Sequence, residues 1–132
     1  MTVITDQLTN HPSLDTFDTV ELARAVEACL EAAAVATMCA DACLAEDDVA
    51  AMRQCIRLDL DCATICTATA QILSRPAPNG DVWRRLVETC VRACVACATE
   101  CETHDRMKHC LVCADACRRC EMACQQLLAV AA

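Results

Sequence analysis

Residues 90–124 read CVRACVACATECETHDRMKHCLVCADACRRCEMAC. Nine cysteines fall in this stretch: Cys90, Cys94, Cys97, Cys101, Cys110, Cys113, Cys117, Cys120 and Cys124. Within each half they lie three or four positions apart, the spacing that puts side chains on one face of an α-helix. The stretch therefore reads as two helices, each carrying a line of sulfur, joined by a short connection near His104 to Lys108. A break at Arg75-Pro76-Ala77-Pro78-Asn79-Gly80 separates this pair from an earlier one.

The earlier pair repeats the pattern. C-x-x-x-C occurs six times in the chain, and the string C-A-D-A-C appears at 39–43 and again at 113–117. Helix one is expected over about 19–45, with Asp18 or Thr19 as N-cap. Glu46-Asp47-Asp48 marks a turn whose last residues cap helix two, over about 49–74. Asp81 is the expected cap of helix three, which runs to about Thr103, and helix four ends near Ala129. Residues 1–18 form an N-terminal arm with His11-Pro12 as a helix-unfriendly pair, and 19–132 a single domain.

Composition agrees with an all-α fold. The chain has one Gly, three Pro, one Phe, one Trp and no Tyr, while Ala, Cys and Leu abound. Four helices of about 20–27 residues with short connections form an antiparallel up-down-up-down four-helix bundle. The one-two and three-four connections then share one end. The chain termini and the Pro-containing turn share the other.

Traced at a three-to-four step, the cysteine faces capture all fifteen cysteines. Helix one carries Cys29, Cys39 and Cys43, and helix two Cys55, Cys62 and Cys66. Helices three and four carry the nine quoted above. At the termini end the faces finish in Leu22, Val26, Leu73, Trp83, Val87 and Leu127, an apolar plug. At the other end they finish in Met52, His104 and Met107, with His109 one residue out of phase. Asp59 takes a face position where Cys would fit; buried there, it needs a partner, for which His104 or a metal ion would serve. His11 reads as a surface residue, Met38 and Met122 as packing between helices, and Asp41 and Asp115 as solvent-facing.

Isolated free cysteines pack as small hydrophobes, but four or five successive face positions on two helices ask for another reason. Disulfides suit them poorly. The count is odd, neighbours on a helix face sit about 5–6 Å apart at Cβ, and a disulfide needs about 3.5–4.5 Å. Lines of thiols suit a soft metal ion. Zinc prefers closed sites of four ligands, and the compact iron–sulfur string is absent. Cu(I) accepts two or three thiolates, and one Cu⁺ per thiolate leaves a neutral core. A zinc or iron–sulfur module and a thiol redox protein stay open as alternatives. C-x-x-C pairs occur at Cys94/Cys97, Cys110/Cys113 and Cys117/Cys120, without the βαβ context of a thioredoxin-like motif, and no cysteine is singled out by a base for catalysis.

A net charge of −8 argues against nucleic acid. No apolar run reaches the length of a membrane span. The first residues show no basic segment, hydrophobic segment or twin arginine, so a cytoplasmic location is expected, where thiols stay reduced.

With its repeated C-x-x-x-C, the C-A-D-A-C strings and His/Met residues at one end, the chain over about 19–129 resembles the bacterial copper storage proteins, cytosolic branch. The resemblance implies non-enzymatic storage of many Cu(I) ions on all fifteen cysteines. It also implies a metal-admitting role at the open end for Met52, Asp59, His104, Met107 and His109, a homotetramer of bundles, and exchange with a copper chaperone as donor or acceptor.

Overall fold

The computed structural model describes residues 2–12, 18–76 and 80–131. Residues 13–17 of the arm and 77–79 of the Pro-containing turn lie outside the described residues. Among the described residues five α-helices follow one another: α1 (Val3–Thr9), α2 (Thr19–Leu44), α3 (Arg53–Leu73), α4 (Val82–Glu102) and α5 (Lys108–Val130). A 3₁₀ turn, Val49–Met52, leads into α3.

Local chemistry sets the boundaries. The Asp18 side chain accepts from Glu21 N at 3.1 Å and starts α2, a carboxylate N-cap. Asp48 accepts from Ala51 N at 3.3 Å, so the acidic turn caps the next element as expected. The tight turn after Ala45 leaves the first residues of that element in 3₁₀ geometry, and the α-helix begins at Arg53, later than the spacing predicts. Asp81 occupies the N-cap of α4 but makes no capping bond; its carboxylate takes the Arg85 Nε at 2.9 Å instead.

The arm holds a helix that its polar sequence does not announce. Thr2 caps α1, Leu8 is buried, and Ile4 packs on the core. The helix ends before Pro12, which cannot continue it.

α2 to α5 form the antiparallel bundle, each helix packing on two neighbours in the order α2, α3, α4, α5 and back to α2. Cross-helix sulfur contacts record the direction. Cys55 meets Cys101, Cys62 meets Cys94, and Cys66 meets Cys90, so α3 and α4 run oppositely. Cys39 meets Cys110 and Cys29 meets Cys124, so α2 and α5 do too. Small Ala25, Ala32, Ala36 and Ala98 are buried between helices, which lets the backbones approach and leaves the axis to sulfur. Outside, Arg119 pairs with Glu31 of α2 and with Asp115, and Arg118 with Glu102 of α4 and with Glu121. Such exposed pairs contribute little each.

The plug is where the faces predict it. Leu22, Val26, Leu73, Val87 and Leu127 are at most 2% exposed. Trp83 is half-buried beside them, with the Arg84 guanidinium 5.2 Å from its ring centre and Arg84 Nη2 donating to Ala131 O at 2.8 Å. Met38 and Met122 correct the reading of residues off the cysteine face. They are 68% and 61% exposed, because the gaps between helices are filled by alanine and leave no room for a long side chain. A surface hollow of about 520 Å³ lies between α2 and α3 along Thr37, Leu60, Thr64 and Gln71, away from the sulfurs.

Aliphatic bulk is thus concentrated in the plug. Leu22→Ala or Leu127→Ala is expected to destabilise the metal-free protein by about 2–5 kcal/mol in urea unfolding under reducing conditions, the usual cost of a core leucine. A loss under about 1 kcal/mol would mean that the plug is not part of the packed core.

Candidate metal centre

All fifteen cysteines are free and buried, none more than 2% exposed. Their sulfurs form one connected lining. At the closed end Cys29 lies 3.6 Å from Cys120 and 3.9 Å from both Cys90 and Cys124. Cys66 lies 3.7 Å from Cys90 and 3.8 Å from Cys94. Cys62 continues the line, 3.7 Å from Cys66 one helical turn away and 3.8 Å from Cys117 across the bundle. Cys97 meets the Cys62, Cys101, Cys113 and Cys117 thiols. Towards the open end Cys55 lies 3.7 Å from Cys101, and Cys39 lies 3.9 Å from Cys110.

These are non-bonded contacts. A metal ion at about 2.3 Å from each of two such sulfurs would have an S–metal–S angle of about 100–120°, in the range of tetrahedral and trigonal coordination. Several sets of four donor atoms lie within 4.8 Å of one another: Cys29/Cys90/Cys120/Cys124, Cys66/Cys90/Cys94/Cys120, Cys39/Cys55/Asp59/Cys101, Asp59/Cys97/Cys101/Cys113 and Cys39/Cys43/His109/Cys110. The two sets towards the closed end share Cys90 and Cys120, and the three towards the open end are linked through Cys39, Asp59 and Cys101, so within each group an ion in one set is a neighbour of the next.

Asp59 is fully buried, and thiols, not His104, surround its carboxylate. Oδ1 accepts from the thiols of Cys97 at 3.1 Å, Cys113 at 3.5 Å and Cys101 at 3.6 Å, and Oδ2 from Cys55 at 3.8 Å. His104 pairs elsewhere: its Nε2 lies 2.8 Å from a Glu100 carboxylate oxygen one turn back. Burial pushes the Asp59 carboxyl up to about 8, only partly opposed by the Cys97 hydrogen bond.

The open end is built from two turns. Met52, at the start of α3, is fully buried; Met107, before α5, packs on the core from a half-buried position. His104 and Met107 line a hollow of about 220 Å³ with Thr103, Asp105 and Arg106. His109, out of phase in the sequence, is the histidine that reaches the thiols. Its Nδ1 lies 3.5 Å from both Cys39 and Cys110 Sγ, and its Nε2 lies 3.2 Å from Glu46 Oε2. Burial opposes the imidazolium, but the Cys39 and Glu46 contacts outweigh it and raise the His109 pKa. Glu46 and Glu100 carry these histidines. Glu100 was detectable as the i−4 neighbour of His104, whereas Glu46, 63 residues from His109, leaves no local signal.

Burial pushes the Cys43 thiol up to about 12 and raises Cys110 as well, while hydrogen bonds within the packed line raise Cys97, through Cys101 first, and lower Cys62 to about 6, through Cys117 first, so the metal-free lining shares its protons unevenly. A carboxyl that keeps its proton to about 8, against an ordinary 3.8, binds more protons in the folded than in the unfolded chain across that interval. Stability accordingly falls as pH rises through it, by up to about 1.4 kcal/mol per pH unit. Asp59→Asn should flatten this slope in urea unfolding of the metal-free protein between pH 5 and pH 7.5, raising stability at the upper end; parallel pH profiles would contradict the assignment.

Residues 18–129 match the family described as copper storage protein. The chain is 48% identical to the Streptomyces lividans copper storage protein Ccsp loaded with 10 copper equivalents, with a TM-score of 0.93 over 96% of this chain and 98% of that one. A cytosolic copper storage protein from Streptomyces lividans with five coppers is 51% identical over 83% of this chain and 93% of its own, with a TM-score of 0.81. The Cu(I)-bound copper storage protein BsCsp3 is 33% identical over 79% of this chain and 94% of that one, with a TM-score of 0.72. A cysteine-rich protein of Bacillus subtilis, YhjQ, is 34% identical over 79% of this chain and 93% of its own length. A Cys-lined four-helix bundle, a family match over nearly its whole length and copper-loaded relatives of the same fold lead to one assignment: the chain belongs to the copper storage protein family.

Proposed function

We propose that the bundle of residues 19–132 stores Cu(I) on its fifteen core cysteines, with 1–18 as an accessory arm. The observation that carries this reading is the single connected lining of buried, unbonded thiols. Cu⁺ on a thiolate is neutral, so a filled axis carries no net charge into a low-dielectric core. A divalent ion on four thiolates would leave two negative charges there.

Copper enters at the end that holds Met52, His104, Met107 and His109. His109 hands it to Cys39, Cys43 and Cys110, and Asp59 contacts the ion in passing to Cys97 and Cys113. Support for this route comes from the soft and borderline donors near the two turns and from the apolar plug that closes the other end. Storage asks for no catalytic residue, and the role is non-enzymatic. A cytoplasmic location is supported by the relative described as cytosolic, and none of the described helices is long and apolar enough to cross a membrane. The homotetramer that the resemblance implies has surface to draw on, since α2 and α3 expose Leu30, Met38, Leu44 and Leu60. A copper chaperone is the expected donor or acceptor.

Because the thiols begin protonated, loading releases protons. Anaerobic titration with Cu(I) under reducing conditions should reach on the order of one ion per thiol, about 15, with roughly one proton released per ion. Tight uptake of about three to four Zn²⁺ with no further binding of copper would overturn storage in favour of a zinc module. Removing cysteines one at a time should lower capacity gradually; complete loss with one or two substitutions would favour a redox role.

A further inference from the structure

His109 faces two ways, and the two faces have different chemistry. Its Nε2 lies 3.2 Å from Glu46 Oε2, and its Nδ1 lies 3.5 Å from the sulfurs of Cys39 and Cys110. An ionised carboxylate only accepts hydrogen bonds. The nitrogen facing it must therefore carry the proton, which in a neutral imidazole leaves the lone pair on Nδ1. The opposite tautomer would set the Nε2 lone pair against the carboxylate and block the sulfur side with N–H.

We propose that Glu46 is a positioning residue for copper uptake: its carboxylate holds His109 in the Nε2–H tautomer, with the Nδ1 lone pair directed at the Cys39/Cys110 thiols. The inference rests on the reading of His109 as a ligand at the open end. Backbone geometry fixes where Glu46 sits. It follows the C-cap Ala45 of α2, and its N–H donates to Cys43 O at 3.2 Å. Cys43 belongs to the same four-donor set as His109, so one turn delivers both a thiol and the carboxylate that orients the imidazole. Glu46 and His109 are each about one-third exposed, and their ring orientation is not dictated by packing alone. The arrangement recurs at the next connection, where His104 Nε2 faces Glu100 at 2.8 Å.

An arriving Cu⁺ takes the Nδ1 lone pair with no proton to displace from that nitrogen, and moves to thiolate as Cys39 or Cys110 passes its proton to the vacated Nδ1 and from there to solvent. The Nε2–H bond to Glu46 persists throughout, and no electron is transferred. Carboxylates that orient ligating histidines through their second nitrogen are a common outer layer of metal sites.

Two readouts test this. Long-range ¹H–¹⁵N NMR of the metal-free wild-type chain, at a pH where the imidazole is neutral, should show His109 protonated on Nε2 and bare on Nδ1. In stopped-flow transfer of Cu(I) from a colorimetric chelator, Glu46→Gln should slow uptake roughly tenfold, since an amide can accept or donate and no longer selects a tautomer. His109→Ala added to Glu46→Gln should slow it little further, because the two residues act as one unit. A proton on Nδ1 in the wild type, a wild-type rate for Glu46→Gln, or additive effects of the two substitutions would overturn the role of Glu46. The storage reading is judged separately: it falls if wild-type chain takes up no Cu(I) in the same transfer, and the NMR result stands without any variant or metal.

Discussion

Everything in this bundle depends on enclosing fifteen free thiols in one buried column without burying net charge. An isolated thiolate in such an interior is costly, and a column of them would repel itself as well. Protonated, the thiols pack as small apolar groups, so the helices assemble around sulfur without metal. The Cys43 and Cys110 thiols, raised by burial, and the buried carboxyl of Asp59 express that cost. A monovalent soft cation is the one replacement for the proton that conserves charge as the column fills.

That constraint also explains how labour is divided along the axis. Aliphatic side chains are gathered at the end that holds the chain termini, where Leu22, Leu73 and Leu127 are fully enclosed. Alanines line the helix contacts beside the sulfurs. Carboxylates enter the story only where protons or orientation must be managed: Asp59 among four thiols, and Glu46 and Glu100 behind the two histidines. The surface carries the remaining acidity and the ion pairs of Arg118 and Arg119, where charge costs little.

The lining was legible in the sequence because helical period alone decides which residues share a face, and every cysteine obeys it. The plug and the direction of the column followed from the same tracing plus antiparallel topology. What was not legible needed heights across helices. Asp59 was rightly placed on the inner face, but its axial level sets it beside Cys97, Cys101 and Cys113, one layer below the turn that holds His104. His109 sits one position out of phase, yet it lies in the first turn of α5, where the chain has just left the connecting loop, and its long ring spans to Cys39. Glu46 belongs to a turn distant in sequence, visible only once α2 and α5 are paired. Met38 and Met122 were misplaced because an alanine-filled helix contact has no gap for methionine, and α1 because a polar arm can still bury one leucine.

The central claim is a single preformed column that copper fills. Anomalous X-ray scattering from crystals of the copper-loaded chain, compared with metal-free crystals, tests it most directly. The account predicts copper peaks along the bundle axis from the Cys43/Cys110 level to the Cys29/Cys124 level, each bridged by cysteine sulfurs, on an essentially unchanged backbone. Copper confined to the surface or to one end, or helices that rearrange to bind it, would contradict the account.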